Sequence, residues 1–342
     1  MKISVPAKGM LFGEYGVLKG GAAAVVTMNN KSMDLRFQCM PSLRPQVTFS
    51  SNFLAGDVCL KPSEIVDLIS GHENSESRKL ACYLAGWQRW IADKSLNVNV
   101  DRSFSPELGF GTSSAILVAF QTAMQCFSSG GHVPEEILFS SIKGDFWQRL
   151  HDALIHLQGK GSGYDVAVQI FALFNRHQAT QSASVYCFQN HGFKQGRFVP
   201  EVKPVGMSSK QLSALGCFVQ TGVRSDTTTV LAKTQSIQGS DEFCSLQDEW
   251  ARSFCADPSL ENAKQLCMKA SMLSVEHGLL PSRPELIEFV RLCERKGIAW
   301  KTMGAGHGDC LWVLASKPDI EELIRGIGAS SMHVAFSFDE GV

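Results

Sequence analysis

The chain has 342 residues, of which 32 are Lys or Arg and 33 are Asp or Glu, so its formal net charge is −1. A hydrophobic fraction of 44% with 19% charged residues is typical of a globular protein with a sizeable core. The charge balance disfavours a nucleic-acid or polybasic membrane surface spread over the chain, and no apolar run approaches the ~18 residues of a membrane span. We therefore expect one large domain or two ordinary ones, with neither nucleic acid nor membrane as a partner.

The cysteines and the first residues of the chain predict a reducing, cytoplasmic environment. The eleven cysteines are scattered from Cys39 to Cys310 without a C-x-x-C pair, which is typical of reduced thiols rather than of a disulfide framework or a zinc site. Lys8 and Glu14 interrupt the apolar residues near the N-terminus, so the apolar block of roughly 7–15 residues in a secretory signal is missing. We expect most cysteines to be small core residues.

The first half of the chain contains two glycine-rich segments. Residues 6–18 read P-A-K-G-M-L-F-G-E-Y-G-V-L, and residues 106–115 read P-E-L-G-F-G-T-S-S-A. Between them, apolar residues recur at helical spacing over 80–91 and alternate as in a half-buried strand over 96–100. An apolar stretch to about Met124 follows the second segment and predicts a helix that begins there.

The second half of the chain contains a third glycine-rich segment, M-G-A-G-H-G-D-C over residues 303–310. Before it, a proline start, an apolar face and Gly297 as a stop predict a helix over 284–296. Strands are expected near 298–301, over 310–314 and over 332–338, with a helix beginning near Pro318. This order predicts an α+β half on a mostly antiparallel sheet, with the boundary between the halves within 175–220.

The second glycine-rich segment has the composition of an anion-binding turn. Its small residues let backbone N–H groups approach an anion, and Thr112, Ser113 and Ser114 offer hydroxyl groups at a helix start. A helix N-terminus carries roughly half a positive charge, which favours a polyphosphate. The segment is not a Walker A loop, because no G-x-x-x-x-G-K-[ST] occurs. Taken alone, it also fits an ordinary N-capped helix after a turn.

Together and in this order, the three segments resemble the motifs of the GHMP kinase superfamily, named for galactokinase, homoserine kinase, mevalonate kinase and phosphomevalonate kinase. The family patterns are P-x-K-x-x-x-x-G-E-[HY], P-x-x-x-G-L-G-S-S-A and G-A-G-G-G-x-C. This chain departs from them at Phe110, at one extra hydroxyl residue in the central segment, and at His307, whose side chain is either incidental or close to a phosphate. The resemblance implies an α+β fold, with an N-terminal ATP-binding, ribosomal-S5-like α/β half over 1–185 and a C-terminal, ferredoxin-like α+β half over 186–342.

Residues 158–167, Q-G-K-G-S-G-Y-D-V-A, resemble the acceptor-side segment of phosphomevalonate kinases rather than that of mevalonate kinases. The resemblance implies ATP- and Mg²⁺-dependent phosphoryl transfer to 5-phosphomevalonate, which gives 5-diphosphomevalonate and ADP in the mevalonate route of isoprenoid synthesis. The alternative within the family is phosphorylation of the mevalonate 5-hydroxyl by a mevalonate kinase. The alternative of another class is an inactive small-molecule sensor with the same fold. In each case the partner is a small molecule, and the chain is a monomer or a homodimer.

The resemblance also assigns roles to single residues. Lys8 and Asp165 are the expected catalytic residues, and Ser113 is the expected Mg²⁺ ligand, although either neighbouring hydroxyl residue could take that place. The expected ATP-binding residues are Gly109, Gly111, Thr112, Ser113, Ser114, Gly304, Ala305 and Gly306. The expected substrate-binding residues are Glu14, Tyr15, Lys160, Ser162, Gly163 and Arg224.

Several of these positions have a structural alternative. Lys160 and Arg224 offer a point charge and a bidentate fork for the acceptor's phosphate, but either could be a surface cation. Asp152 is a candidate for a second metal-binding carboxylate and otherwise a residue of a solvated helix face. His151 and His156 are five residues apart and lack the H-E-x-x-H arrangement, which favours structural roles.

Overall fold

The chain forms two β-sheets, one from its N-terminal part and one from its C-terminal part. A computed structural model describes residues 1–51, 56–71, 75–104, 108–129, 144–159, 161–175, 183–223, 240–304 and 309–339. The strands are β1 (Lys2–Phe12), β2 (Ala23–Pro41), β3 (Val47–Ser51), β4 (Val58–Leu60), β5 (Lys94–Arg102), β6 (Ala183–Asn190), β7 (Pro200–Pro204), β8 (Cys217–Gln220), β9 (Trp300–Thr302), β10 (Cys310–Val313) and β11 (His333–Ser337).

Helices pack against both sheets. The α-helices are α1 (Ile65–Ser70), α2 (Glu76–Tyr83), α3 (Thr112–Ser128), α4 (Gly144–Gln158), α5 (Tyr164–Phe174), α6 (Ser209–Ser213), α7 (Ser240–Ala256), α8 (Leu260–Glu276), α9 (Pro284–Arg295) and α10 (Lys317–Gly326). Short 3₁₀ helices span Gly16–Lys19, Pro62–Glu64 and Phe193–Gln195. No helix in the described residues is long and apolar enough to cross a membrane.

The first sheet has the strand order β4-β3-β5-β2-β6-β7, and β1 pairs with β2 outside this order. Its described pairings are antiparallel except for that between β3 and β5. From Val5 to Phe12 every residue of β1 is buried, because α3, α5 and α7 contact this strand. A polar side chain in this stretch therefore lies inside the protein, and Lys8 is in its middle.

The second sheet has the order β11-β8-β10-β9 and is antiparallel in its described pairings. Alternate residues of its strands enter different cores, as the two-residue period of a strand requires. Leu311 and Val313 pack with Phe289 and the other apolar residues of α9 and α10. Between them, Trp312 faces the first core, where its ring centroid lies 5.4 Å from that of Phe12 in β1. The second sheet is thus packed against the strand that carries Lys8.

The fold confirms the predicted α+β class and most of the predicted elements of the second half. The helix over 284–296 is α9, and Gly297 ends it with a φ of +68°. The strands near 298–301, over 310–314 and over 332–338 correspond to β9, β10 and β11, and the helix near Pro318 is α10. The strand over 96–100 is part of β5.

The helix predicted over residues 80–91 is wrong beyond Tyr83. The chain turns after α2 at Gly86, whose φ is +84°, and continues in turns to residue 93. Leu84, Trp87 and Ile91 are nevertheless buried. Helical spacing therefore identified core residues correctly, but their backbone is not helical. The prediction for the cysteines is confirmed, because all are free thiols and six of the eleven are buried.

Candidate active site

Lys8 lies at the point where β1, α5 and the central glycine-rich segment meet. Its side chain is buried, and its Nζ donates a hydrogen bond to the Tyr164 hydroxyl at 2.7 Å and lies 4.7 Å from the centre of that ring. Its backbone N–H donates to the carbonyl oxygen of Phe110 at 3.1 Å. Lys8 is therefore held through both its side chain and its main chain.

Charged and polar neighbours decide the protonation state of Lys8. Burial by itself lowers the pKa of the Lys8 ammonium, because a charged group loses hydration. Tyr164, Asp165 and Asp309 act in the opposite direction, and together they raise the pKa of Lys8 above its usual value. Lys8 therefore carries a full positive charge at neutral pH.

Asp165 is in the first turn of α5, directly after Tyr164. Its Oδ1 accepts a hydrogen bond from the backbone N–H of Val166 at 2.9 Å, and its charge acts on Lys8. Gly163 caps this helix with a φ of +77°, and a Cβ there would lie 2.4 Å from the Phe198 ring. Only glycine therefore fits this position. The helix that begins here contacts β1, the strand that carries Lys8.

The central segment packs on Lys8 through glycine. Gly111 has a φ of +77°, and a Cβ there would lie 2.7 Å from Cε of Lys8. Gln169 lies in α5, one helical turn after Asp165. It donates from Nε2 to the carbonyl oxygens of Pro6 at 3.0 Å and Gly111 at 3.4 Å. This one side chain thus joins the first segment, the central segment and α5.

The predicted hydroxyl residues occupy the first turn of α3. Ser114 is buried and donates from Oγ to the carbonyl oxygen of Gly111 at 2.9 Å. Ser113 is exposed, and its side chain interacts with the Tyr83 hydroxyl. The Oγ1 atom of Thr112 is buried and has no hydrogen-bond partner within the described part of the chain. Of the three, Ser113 is thus the most exposed residue.

The third segment contributes Asp309 and Gly304. A Cβ at Gly109 would lie 2.9 Å from Oδ2 of Asp309, so this carboxylate adjoins the central segment. Gly304 has a φ of +61°, and no atom of the described residues lies within 4 Å of where its Cβ would be. The predicted ATP-binding residues Ala305 and Gly306 lie outside the described residues, as does His307.

Two predicted substrate-binding residues, Glu14 and Tyr15, contact C-terminal elements. The carboxylate of Glu14 forms a buried ion pair with Lys301 of β9, and its Oε2 has no hydrogen-bond partner among the described residues. Burial is the main cause that raises the pKa of Glu14, against the effect of Lys301. Tyr15 is buried with its ring centroid 5.0 Å from that of Phe243. A direct contact of either residue with substrate stays a prediction.

Some of the remaining candidate residues lie in the described part of the chain and others lie outside it. Ser162 is partly buried just before α5, whereas Lys160 and Arg224 lie outside the described residues. Asp152 is exposed on α4, as expected for a solvated helix face. His151 has the structural role predicted for it, because its Nε2 lies 3.2 Å from the Gly161 carbonyl oxygen and its ring stacks on that of a buried phenylalanine.

Sequence reasoning gave no role to four residues that the structure brings to these sites. Tyr164 and Asp309 lie inside the recognised segments. Tyr164 directly precedes Asp165, and Asp309 directly precedes Cys310 of the third family pattern. Gln169 follows Asp165 by four residues, which places both on one face of α5. Lys301 carries no sequence signal, because its partner Glu14 is 287 residues away.

The start of α3 fits the phosphates of a nucleotide. No side chain caps this 17-residue helix, so backbone N–H groups of its first turn are open to an anion, and the buried Thr112 hydroxyl has no partner among the described residues. In the described residues no group of three or more His, Cys, Asp or Glu side chains could hold a metal by itself. Ser113 and Asp165 offer a hydroxyl and a carboxylate oxygen, which are donor types that Mg²⁺ accepts beside phosphate oxygens.

The chain is similar to known proteins in one sequence segment and in overall fold. Residues 251–332 match the family model described as "GHMP kinases C terminal". The mevalonate kinase of Methanococcus jannaschii is 16% identical, with a TM-score of 0.68 over 98% of this chain and 96% of that chain. The phosphomevalonate kinase of Streptococcus pneumoniae, solved with phosphomevalonate and AMPPNP, is 13% identical, with a TM-score of 0.62 over 98% of both chains.

A third structure widens the range of substrates among these neighbours. The galactokinase of Lactococcus lactis, solved with galactose, is 12% identical, with a TM-score of 0.64 over 98% of this chain and 93% of that chain. No curated protein sequence is significantly similar to the chain. Residues 251–332 thus form a GHMP kinase C-terminal domain, in a chain that has the GHMP kinase fold.

Proposed function

We propose that the protein is an ATP-dependent small-molecule kinase whose acceptor is 5-phosphomevalonate. The observation that carries this proposal is the buried, charged Lys8, which lies between the N-terminal turn of α3 and the N-terminal turn of α5. One turn fits the phosphates of a nucleotide, and the other presents the Asp165 carboxylate. Phosphoryl transfer needs little covalent chemistry from the protein, so a fixed cation between donor and acceptor is the group that it requires most.

In the proposed reaction, a phosphate oxygen of the acceptor forms a bond to the γ-phosphorus of ATP. The bond from that phosphorus to the β,γ-bridging oxygen breaks, and ADP leaves with the electron pair. Lys8 neutralises the negative charge that develops between the two phosphates. A phosphate acceptor is already mostly anionic at neutral pH, so Asp165 orients the acceptor, Lys8 or the metal rather than acting as a strong base.

The nucleotide would contact Gly109, Gly111, Thr112, Ser113 and Ser114, with residues 304–306 on its other side. Ser113 and Asp165 would hold Mg²⁺, which supplies positive charge to the phosphate oxygens when it is bound. The acceptor would contact Ser162 and Gly163 at the start of α5, and Lys160 and Arg224 would bind its phosphate. The domain limits of 1–185 and 186–342 and a cytoplasmic location stay predictions.

The choice of acceptor rests on residues 158–167 and is tested by comparing two acceptors. ADP release from ATP and Mg²⁺ should be measured with mevalonate and with 5-phosphomevalonate in parallel. We expect a higher kcat/KM for 5-phosphomevalonate, because mevalonate lacks the phosphate that a cation such as Lys160 or Arg224 would bind. Losing one such charge-assisted contact should raise KM about 10- to 100-fold.

Other outcomes separate the alternatives. A kcat/KM for mevalonate equal to or above that for 5-phosphomevalonate would overturn the acceptor assignment in favour of a mevalonate kinase. Nucleotide binding without ADP release on either acceptor would favour an inactive small-molecule sensor. For Lys160→Met and Arg224→Met, an unchanged KM for 5-phosphomevalonate would identify the replaced residue as a surface cation.

A further inference from the structure

Asp309 has a backbone conformation that side chains rarely adopt. Its φ is +46°, and it is the one non-glycine residue with a positive φ in the described part of the chain. Its backbone N–H donates to the carbonyl oxygen of Val223 at 2.6 Å, and its own carbonyl oxygen accepts from the backbone N–H of Thr221 at 2.8 Å. Such a conformation persists only where the surroundings hold it, and β8 and its continuation do so here.

This clamped backbone directs the carboxylate against the central segment. A Cβ at Gly109 would lie 2.9 Å from Oδ2 of Asp309, and a Cβ at Gly111 would lie 2.7 Å from Cε of Lys8. Both glycines have a positive φ, and they are two residues apart. The central segment therefore makes room for an acidic side chain at one glycine and for the basic side chain at the next.

The charge of Asp309 acts on Lys8 from an element other than α5. Tyr164 and Asp165 approach the ammonium from the start of α5, whereas Asp309 precedes β10 of the second sheet. At Lys8, charged groups from the two halves of the chain thus act on one another. These are the titratable groups that act on Lys8 from the described elements packed around it.

We propose that Asp309 is a positioning residue for Lys8: its carboxylate, carried by the second sheet, keeps the ammonium where it acts on the transferred phosphoryl group. The proposal rests on the proposed kinase function and assigns to the second half a direct part in the reaction site. A purely structural turn at this position would be better served by glycine, which adopts a positive φ without strain. What an aspartate adds over glycine at this position is the carboxylate.

Two substitutions separate the effect of the Asp309 charge from the effect of its backbone conformation. Asp309→Asn keeps the size of the side chain and its tolerance of a positive φ, and removes only the charge. Asp309→Gly removes the charge together with the strain. We expect both variants to lose about 10- to 100-fold in kcat while KM for ATP changes by less than about threefold. Near-normal kcat in either variant would overturn the proposal, because the backbone alone would then suffice.

A double-mutant cycle tests the contact without relying on activity. Urea unfolding should be measured for Asp309→Asn in the wild-type and the Lys8→Met backgrounds. We expect the unfolding equilibrium constant to rise at least about fivefold in the first background and less than about twofold in the second, because the interaction partner is then gone. Equal effects in both backgrounds would overturn the proposal.

The two measurements also distinguish this proposal from the kinase function. If Lys8→Met retains wild-type ADP release, or if the wild type phosphorylates neither acceptor, the proposed function fails, and the cycle alone decides whether Asp309 acts on Lys8. If Lys8→Met abolishes turnover while Asp309→Asn does not, the kinase function stands and the role of Asp309 fails.

Discussion

The buried ammonium of Lys8 keeps its charge because Tyr164, Asp165 and Asp309 surround it. Without these partners, burial would lower its pKa and favour the neutral amine, which cannot stabilise a phosphate. A charged group fixed in a site from which water is excluded acts more strongly on a developing negative charge than the same group in solvent. We therefore expect Lys8 to contribute more to turnover than to nucleotide affinity.

Replacement of Lys8 tests this difference. We expect Lys8→Met to lower kcat by at least about 10²-fold, with a smaller change in ATP affinity, because its contact is strongest in the transition state. Steady-state ADP release and calorimetric titration with an ATP analogue measure the two effects. An unchanged kcat would mean that Lys8 has only a structural role in β1.

Asp165 has a matched control in the exposed Asp152 of α4. We expect Asp165→Asn to keep the fold and nucleotide binding and to lower kcat at least about 10²-fold, which is roughly 2.7 kcal/mol of transition-state stabilisation. Asp152→Asn should leave kcat unchanged. Equal turnover in the two variants would remove Asp165 from the catalytic residues.

The elements that carry these side chains depend on glycine at their ends. Gly111 and Gly163 both have a φ of +77°, and a Cβ at either position would overlap a neighbouring side chain. They set the starts of α3 and α5, which bring the hydroxyl residues and Asp165 to Lys8. The helix starts are therefore fixed by close packing in addition to turn geometry.

Gly297, after α9, is a control with a similar φ of +68° but open space around it. Gly297→Ala should cost about 1–2 kcal/mol of stability through backbone strain and leave turnover unchanged. Gly111→Ala adds an overlap with Lys8, so it should cost more stability and also lower kcat. Urea unfolding and ADP release measure both, and a Gly111→Ala variant that matches Gly297→Ala in both would contradict the packing argument.

Local sequence patterns predicted the elements correctly where the residues of the segment itself determine its conformation. Gly297 ends α9 as predicted, and the alternating residues of β5 form the predicted strand. The pattern over 80–91 failed after Tyr83, because burial of Leu84 and Ile91 in turns leaves the same apolar spacing as a helix. Periodicity reports burial first and backbone conformation only indirectly.

Across the whole molecule, the ion pair between Glu14 and Lys301 joins the first glycine-rich segment to the second sheet. The side chains are 5% and 2% exposed, so neither charge has water to compensate for a lost partner. Lys301 Nζ also donates to the carbonyl oxygen of Thr302 at 2.7 Å. This pair couples the two halves of the fold close to the proposed site.

We expect Lys301→Met to destabilise the fold by about 3–5 kcal/mol, because the buried Glu14 carboxylate is left without its cation. The double variant Glu14→Gln/Lys301→Met should recover part of this loss. Lys19→Met is the control, since its ion pair with Asp241 also links the two halves but is exposed and should give no measurable change. Additive losses from the two single variants in urea unfolding would argue against a coupled pair.

Contacts between distant parts of the chain are what the sequence could not predict. The glycine-rich segments indicated Lys8 and the start of α3, and residues 158–167 indicated Asp165, because each lies within a local motif. The partners Lys301 and Asp309 depend on how the second sheet packs against β1. No spacing rule applies to pairs separated by nearly the whole chain, so the proximity of Lys301 to Glu14 and of Asp309 to Lys8 emerges only from the fold.

Phosphorus NMR of the protein with ATP, Mg²⁺ and 5-phosphomevalonate tests the central claim most directly, because it follows the transferred group itself. The account predicts that the signals of a new diphosphate ester and of ADP grow together at equal rates, and that Lys8→Met slows both at least about 10²-fold. Release of inorganic phosphate instead of a diphosphate ester, or an unchanged spectrum, would contradict phosphoryl transfer to this acceptor.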